Sequence, residues 1–411
     1  MSIFSPDQDR HREALAAFDH ALALDPNFVL ALIYRGGAYK QLEDYKKSII
    51  DFDRALVLDP KNSTLLMLRG DAYRLQGDYP NALADLNQSL ALKADDSATL
   101  ARRGETHRKL GNYEKALADL NQALALAPSD TFALAARGDT HRFLGNYQQA
   151  LADFNFVLSL DPHNATLLTK RGDIYACLKD YKPALADINA ALDLIPNFAG
   201  ALARRGVIYT ALKDFEHALS DFNNALAIQP DYAWALNNRG EMWYLKGDFD
   251  QALEDFHNVI ALDEDDWYYY KRATVFFRLD KRESYERDLK KAIRLAQSRL
   301  ARAGSMSERW RTAFNMALYY LFLGRSETAE ALYENLVSVC AIPVRLQDAA
   351  NDLLEIPLNA VGSLTMISVD WPLSKSPVEV ERAGFQKDLI DRLRRHMLHR
   401  LDEMKQEEKR D

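Results

Sequence analysis

The chain has 411 residues, 48% of them hydrophobic, which is ample for a packed core, and its 17 glycines and 13 prolines are too few for low-complexity sequence. A formal net charge of −8 argues against a general nucleic-acid binder. No stretch approaches the roughly 18 continuous apolar residues of a membrane span, and two cysteines without metal or disulfide spacing, Cys177 and Cys340, fit a reducing cytoplasm.

Residues 1–28 predict a single helix that begins at Ser5-Pro6, with serine as N-cap and proline in the first turn, and carries Ala14, Phe18 and Ala21 before Pro26 ends it. From residue 29 the chain repeats itself. Glycine recurs at Gly36, Gly70, Gly104, Gly138, Gly172, Gly206 and Gly240, every interval being 34 residues. Within residues 97–130, apolar residues fall at helical spacing up to Leu110. Gly111-Asn112 breaks the run, and a second periodic run from Ala116 to Leu124 ends at Pro128. The reading is two antiparallel helices joined by a tight turn. Gly104 and Ala116 are small where the helices approach, and Leu120 fills the space beside them.

These units, 29–62, 63–96, 97–130, 131–164, 165–198, 199–232 and 233–266, resemble the tetratricopeptide repeat family. Its consensus alanine at position 20 appears as Ala82, Ala116, Ala150, Ala184, Ala218 and Ala252, with Ser48 in the first unit. Position 24 reads Phe52, Leu86, Leu120, Phe154, Ile188, Phe222 and Phe256, and the proline of position 32 appears at Pro60, Pro128, Pro162, Pro196 and Pro230. Residues 1–28 then match the second half of a unit. The resemblance implies an all-α fold, a right-handed superhelical α-solenoid of helix-turn-helix repeats with C-terminal capping helices.

Further along, residues 267–300 read as a degenerate unit in which Thr274 replaces the glycine and one residue is missing before Ala292. Residues 301–354 hold a repeat-like hairpin at 310–343, with Ala317, Gly324, Ala329 and Tyr333 in place, followed by a helix. Residues 355–377, with three prolines, read as extended chain, and 378–411 as an amphipathic helix with Val380, Phe385, Leu389, Leu393, Met397 and Leu401 on one face. That helix can cap the array, pack on a second copy or dock on a partner.

Two positions depart from the family. Position 7 is arginine in all seven units: Arg35, Arg69, Arg103, Arg137, Arg171, Arg205 and Arg239. Position 23 is aspartate in all seven: Asp51, Asp85, Asp119, Asp153, Asp187, Asp221 and Asp255. One-for-one matching favours a structural ladder of partly buried ion pairs over an arginine stripe for a polyanion. His107 and His141 stand where sibling units use Tyr or Trp, so they read as packing residues, not metal ligands.

In the family the first helix of each unit lines a concave face through positions 2, 5, 6, 9, 12 and 13. Carried over, those positions give Lys40, Arg74, Arg102, Arg108, Lys109, Arg142, Lys170, Arg204, Lys271, Arg272 and Arg278, against Asp71, Glu105, Asp139, Asp173 and Glu241. Eleven cations against five anions leaves +6 on a chain whose total is −8. Aromatic Phe132, Phe143, Trp234, Tyr244 and Tyr268 fall on the same face, and with Asn237, Asn238 and Arg272 they make 234–272 the first place to look for a site. Two readings stand. Either the basic groove takes acidic peptides or a C-terminal carboxylate, or Arg74, Arg108 and Arg142 spend their charge on the acid three residues earlier. The five-residue carboxylate clamp of chaperone-binding members is matched only at Asn238 and Arg272.

The sequence has no Gly-rich phosphate loop, metal-ligand spacing or nucleophile signature, so neither enzyme activity nor a cofactor is expected. A cytoplasmic interaction scaffold for protein or peptide partners is the expectation, with a homo-oligomer through the C-terminal helix as an open possibility. The alternatives are the sensor array of a larger regulator and an RNA-binding helical repeat.

Overall fold

The computed structural model describes residues 6–303 and 306–339 together with 392, 393, 395, 396, 398, 399, 402 and 403. Among them every regular element is an α-helix. Helix α1 (Pro6–Leu24) is followed by seven hairpins. Their first helices are α2 (Val29–Gln41), α4 (Ser63–Gln76), α6 (Ser97–Lys109), α8 (Thr131–Phe143), α10 (Ala165–Cys177), α12 (Ala199–Ala211) and α14 (Ala233–Lys246). The second helices are α3 (Tyr45–Leu58), α5 (Tyr79–Leu92), α7 (Tyr113–Leu126), α9 (Tyr147–Leu160), α11 (Tyr181–Leu194), α13 (Phe215–Ile228) and α15 (Phe249–Leu262). Two further hairpins, α16 (Asp266–Arg278) with α17 (Arg282–Arg302) and α18 (Met306–Phe322) with α19 (Ser326–Val339), complete the described elements.

Local chemistry explains several of the boundaries. Asn62, Asp96 and Asn164 cap first helices by accepting from the N–H of Leu65, Thr99 and Leu167 at 3.1, 2.9 and 3.0 Å. Second helices α3 and α13 open on the same device, with Asp44 and Asp214 accepting from Lys47 and His217 at 3.2 and 3.3 Å. The turn between helices needs one residue at positive φ, supplied by Gly77, Gly111, Gly145 and Gly247 but by Glu43, Lys179 and Lys213 elsewhere. Inside each hairpin the repeating glycine admits a large partner. A Cβ at Gly138 would sit 2.5 Å from Phe154, and one at Gly104 2.7 Å from Leu120.

The described residues fall into two compact units, one reaching His141 and including Ala152–Val157, the other comprising Arg142–Leu151 and everything from Leu158. Within each unit, successive first helices touch: α2 with α4 and α4 with α6, then α10 with α12, α12 with α14 and α14 with α16. No pair of second helices comes as close among the described residues. The first helices therefore form the inner face of each unit.

The degenerate hairpin corrects the sequence frame. The turn between α15 and α16 has three residues, where that between α13 and α14 has four, so the residue missing before Ala292 is lost already ahead of α16. Buried Ala273, not Thr274, takes the glycine slot. At the far end Tyr270, Tyr319, Phe314 and Tyr333 build an aromatic core with Leu393 buried in it and Leu398 packed against it, and Arg392 pairs with Glu330 at 2.5 Å. These described residues of the C-terminal helix thus pack on their own chain, as a cap does. The expected N-cap Ser5, the extended segment 355–377 and the helix proposed after the 310–343 hairpin lie outside the described residues.

Candidate inner-face binding surface

Two sets of arginines project from the first helices, and their surroundings differ. The position 7 set faces the second helix of its own hairpin. In all seven repeats the guanidinium Nε and one terminal nitrogen donate to both carboxylate oxygens of the aspartate sixteen residues later, at 2.6–2.9 Å. The remaining nitrogen reaches back one repeat: Arg35 to Asp19, Arg69 to Asp53, Arg103 to Asn87, Arg137 to Asn121, Arg205 to Asn189 and Arg239 to Asn223, at 2.6–3.0 Å. Every rung therefore closes its own hairpin, and these six also tie it to the helix or hairpin before. Sequence reasoning missed this third arm, although position 25 is Asp or Asn in six of the seven units, His257 being the exception.

Arg272 belongs to this ladder and not to the inner face. It is buried and donates to Asp288 at 2.7 and 3.0 Å, again sixteen residues apart. The same shift of frame moves half-buried Tyr268 off the inner face and puts Trp267 there, with the Lys271 ammonium 4.8 Å from its ring. Lys271 also donates to Glu241 at 3.0 Å. Of the two amides, Asn238 spends its Nδ2 on the Trp234 carbonyl at 2.6 Å, and Asn237 is buried. Burial pushes the Tyr244 phenol up, and Arg278 lies 6.0 Å from its ring. The 234–272 stretch thus offers little free polar surface, and Trp234 is its exposed ring.

On the inner face the acids of position 9 organise the cations. Asp71 is buried and takes three: Lys40 at 2.8 Å, Arg74 at 3.0 and 2.7 Å, and Arg102 at 3.4 Å. Burial pushes its carboxyl up, but Arg74, Lys40 and Arg102 outweigh it and hold the pKa at about 2. Arg108 forms a bidentate pair with Glu105 at 2.6 and 2.6 Å. Pairing with the acid three residues earlier thus accounts for Arg74 and Arg108. In the second unit Arg142 and Arg204 each approach Asp173 at 3.5 Å, while Lys170 is half-buried and Lys109, in the first unit, is exposed.

Aromatic rings back several of these cations. Phe132, 38% exposed, lies 5.7 Å from the Arg74 guanidinium and 5.6 Å from that of Arg102. Arg142 stacks on Phe143 at 4.6 Å, and Arg204 on Trp234 at 5.2 Å, with Trp234 36% exposed. His107 and His141 are half-buried, and burial pushes both imidazoles down. Among the described residues no group of His, Cys, Asp or Glu is placed to hold a metal, and no helix is long and apolar enough to cross a membrane.

An all-α array of helical hairpins with a chemically patterned inner face defines a repeat-type interaction protein. Tetratricopeptide-repeat signatures match residues 62–129, 199–232, 233–266, 7–63 and 135–201. The chain belongs to the tetratricopeptide repeat family and is a protein-interaction repeat scaffold. Among solved structures it is similar to a tetratricopeptide repeat protein from Parabacteroides merdae, with 21% identity, a TM-score of 0.50, and coverage of 57% of this chain and 93% of that one. It is also similar to the APC/C hetero-tetramer Cut9-Hcn1, with 14% identity, a TM-score of 0.54, and coverage of 72% of this chain and 58% of that one. None of the curated proteins matches it. At these identities the likeness concerns the fold.

Proposed function

We propose that the chain is a non-catalytic, cytoplasmic adaptor in which the inner face of each unit holds an extended segment of a protein partner against an aromatic residue backed by arginine. The observation that carries this reading is the pair of exposed rings, Phe132 between Arg74 and Arg102 and Trp234 over Arg204. A large ring left more than a third open to water on an otherwise charged face is the side-chain type that dominates binding energy at interfaces. The neighbouring guanidiniums favour acidic partner residues.

Capture of partners with Phe132→Ala and Trp234→Ala chains tests the reading, with Val57→Ala, an exposed position on second helix α3, as the control. Loss of partners from each ring variant and not from the control is the expected result. Equal capture by all three sinks the proposal.

A further inference from the structure

The cations of the inner face follow a lattice, and the lattice has a vacancy. Around Asp71, cations come from three places: one repeat earlier (Lys40), one turn along its own helix (Arg74) and one repeat later (Arg102). Around Asp173 the equivalents one repeat earlier and later are Arg142 and Arg204, but the own-helix place is Ala176. The consequence is visible in the distances. Asp71 holds its closest cations at 2.7 and 2.8 Å with its side chain 5% exposed, whereas Asp173 is 28% exposed and Arg142 and Arg204 each approach it at 3.5 Å.

Arg204 is held much as Arg102 is: Nη1 donates to the Gly200 carbonyl at 3.2 Å, and the buried Nε lies 3.5 Å from Asp173 without a hydrogen bond, as the Nε of Arg102 lies 3.4 Å from Asp71. The two centres differ in the missing own-helix cation and in the exposure of the acid, which at Asp173 leaves room for a second carboxylate beside Arg204. The guanidinium is held flat by the Trp234 ring and flanked by Gly200, which has no side chain to cover it. A weakly hydrated, ring-stacked guanidinium with unspent donors is suited to a planar carboxylate.

Resting on the inner-face reading above, we infer that Arg204, Trp234 and Asp173 form the subsite for an acidic side chain of an extended peptide. Asp173 is a placeholder that keeps Arg204 charged and aimed without saturating it, and Asp71 is a closed centre that stays structural. The ligand carboxylate accepts from the donors that Asp173 leaves unspent, and its aliphatic stem covers the exposed face of Trp234.

The test uses the full chain and a pentaglutamate peptide blocked at both ends, followed by calorimetry and by the fluorescence that Trp234→Phe removes. Pentalysine and pentaglutamate with a free C-terminus are the comparison probes. Arg204→Gln is expected to weaken pentaglutamate about tenfold, the loss of one charge-assisted contact. Asp173→Asn, which removes a competing charge, is expected to tighten it, a gain that misfolding cannot produce. Arg294→Gln, an equal loss of charge at an exposed site on α17, is expected to change nothing. Equal effects of Arg204→Gln and Arg294→Gln, or weakening by Asp173→Asn, overturn the subsite. Binding that requires the free C-terminus also overturns it, because the anion is then the terminal carboxylate. Pentaglutamate binding that survives Arg204→Gln but is lost in Phe132→Ala refutes this subsite and leaves the inner-face reading standing. Partner capture unaffected by Phe132→Ala and Trp234→Ala removes that reading itself.

Discussion

Replacing Asp221 with alanine removes one rung of the ladder, and its cost follows from the geometry. Arg205 donates to Asp221 through Nε and Nη2, both at 2.7 Å, and to Asn189 of the preceding hairpin at 2.7 Å. The aspartate side chain is 5% exposed and the arginine 24%. Breaking a fully buried pair costs about 3–5 kcal/mol, because the surviving charge is stranded. Water that reaches the exposed quarter of Arg205 restores part of its solvation, so roughly 2–3 kcal/mol is expected here. Asp221→Asn keeps one acceptor and should cost about half as much. The double variant Arg205→Leu/Asp221→Leu should recover most of the loss, since an apolar pair leaves no charge behind. A repeat array opens segment by segment, so one global unfolding energy would blur the effect. Hydrogen exchange read peptide by peptide avoids that. Protection in α12 and α13 should fall roughly 30- to 140-fold, one decade per 1.4 kcal/mol, while α4 and α5 keep theirs. A fall below about threefold, no larger than that of Glu216→Ala on the exposed face of α13, would refute the view that these pairs hold the scaffold.

Gly138→Ala places a methyl 2.5 Å from fully buried Phe154 and should cost about 1–3 kcal/mol in urea titrations. Gly37→Ala, with nothing within 4 Å of the new carbon, should stabilise α2 by about 0.5–1 kcal/mol. Lys179 sits at φ +60° in a turn where sibling repeats use glycine, so Lys179→Gly should gain about 1 kcal/mol despite the more flexible unfolded chain; a loss would mean its side chain holds the turn. Asp71 titrates at about 2 in the fold against an ordinary 3.8, so its contribution is complete above pH 4 and is lost as pH falls from about 4 to 2. In that window the stability of Asp71→Asn should fall less steeply than that of the native chain, and parallel acid curves would contradict the triple pairing.

Much of the fold can be read from one period. The frame that starts at 29 and advances by 34 meets the first residue of every first helix from Val29 to Ala233. Each second helix opens on Tyr or Phe, from Tyr45 to Phe249. Glycine and large apolar residue face each other by steric necessity, and local sequence carries that. The frame fails at α16 because a single deletion shifts every position behind it by one. The corrective signal was present: the Arg–Asp spacing of sixteen that runs through seven repeats continues only at Arg272 and Asp288. The inner face was less legible for a different reason. Whether Arg102 reaches Asp71, thirty-one residues away, depends on how closely neighbouring first helices approach, and no local pattern records that distance.

The same residue type performs two tasks on these helices, and the difference lies in how completely its charge is met. At position 7 the guanidinium finds a bidentate carboxylate within its hairpin and, in six of the seven repeats, an Asp or Asn oxygen from the repeat before it, so that all three nitrogens of those six are occupied. Such a group has nothing to offer a ligand, and its loss is read as stability. On the inner face, cations outnumber acids, and the acids are shared across repeats. The balance there is set by single positions: an arginine at 74 closes one centre, and an alanine at 176 opens another. A repeat protein can thus retune its recognition surface by one substitution per unit while the ladder, sixteen residues out of reach, keeps the hairpins stacked. If that separation is real, changes at Ala176 should move binding without moving stability: Ala176→Arg should tighten the Asp173 centre and weaken pentaglutamate binding while hydrogen exchange in α10 and α11 stays unchanged. Altered exchange without altered binding would show that the two arginine sets are not independent.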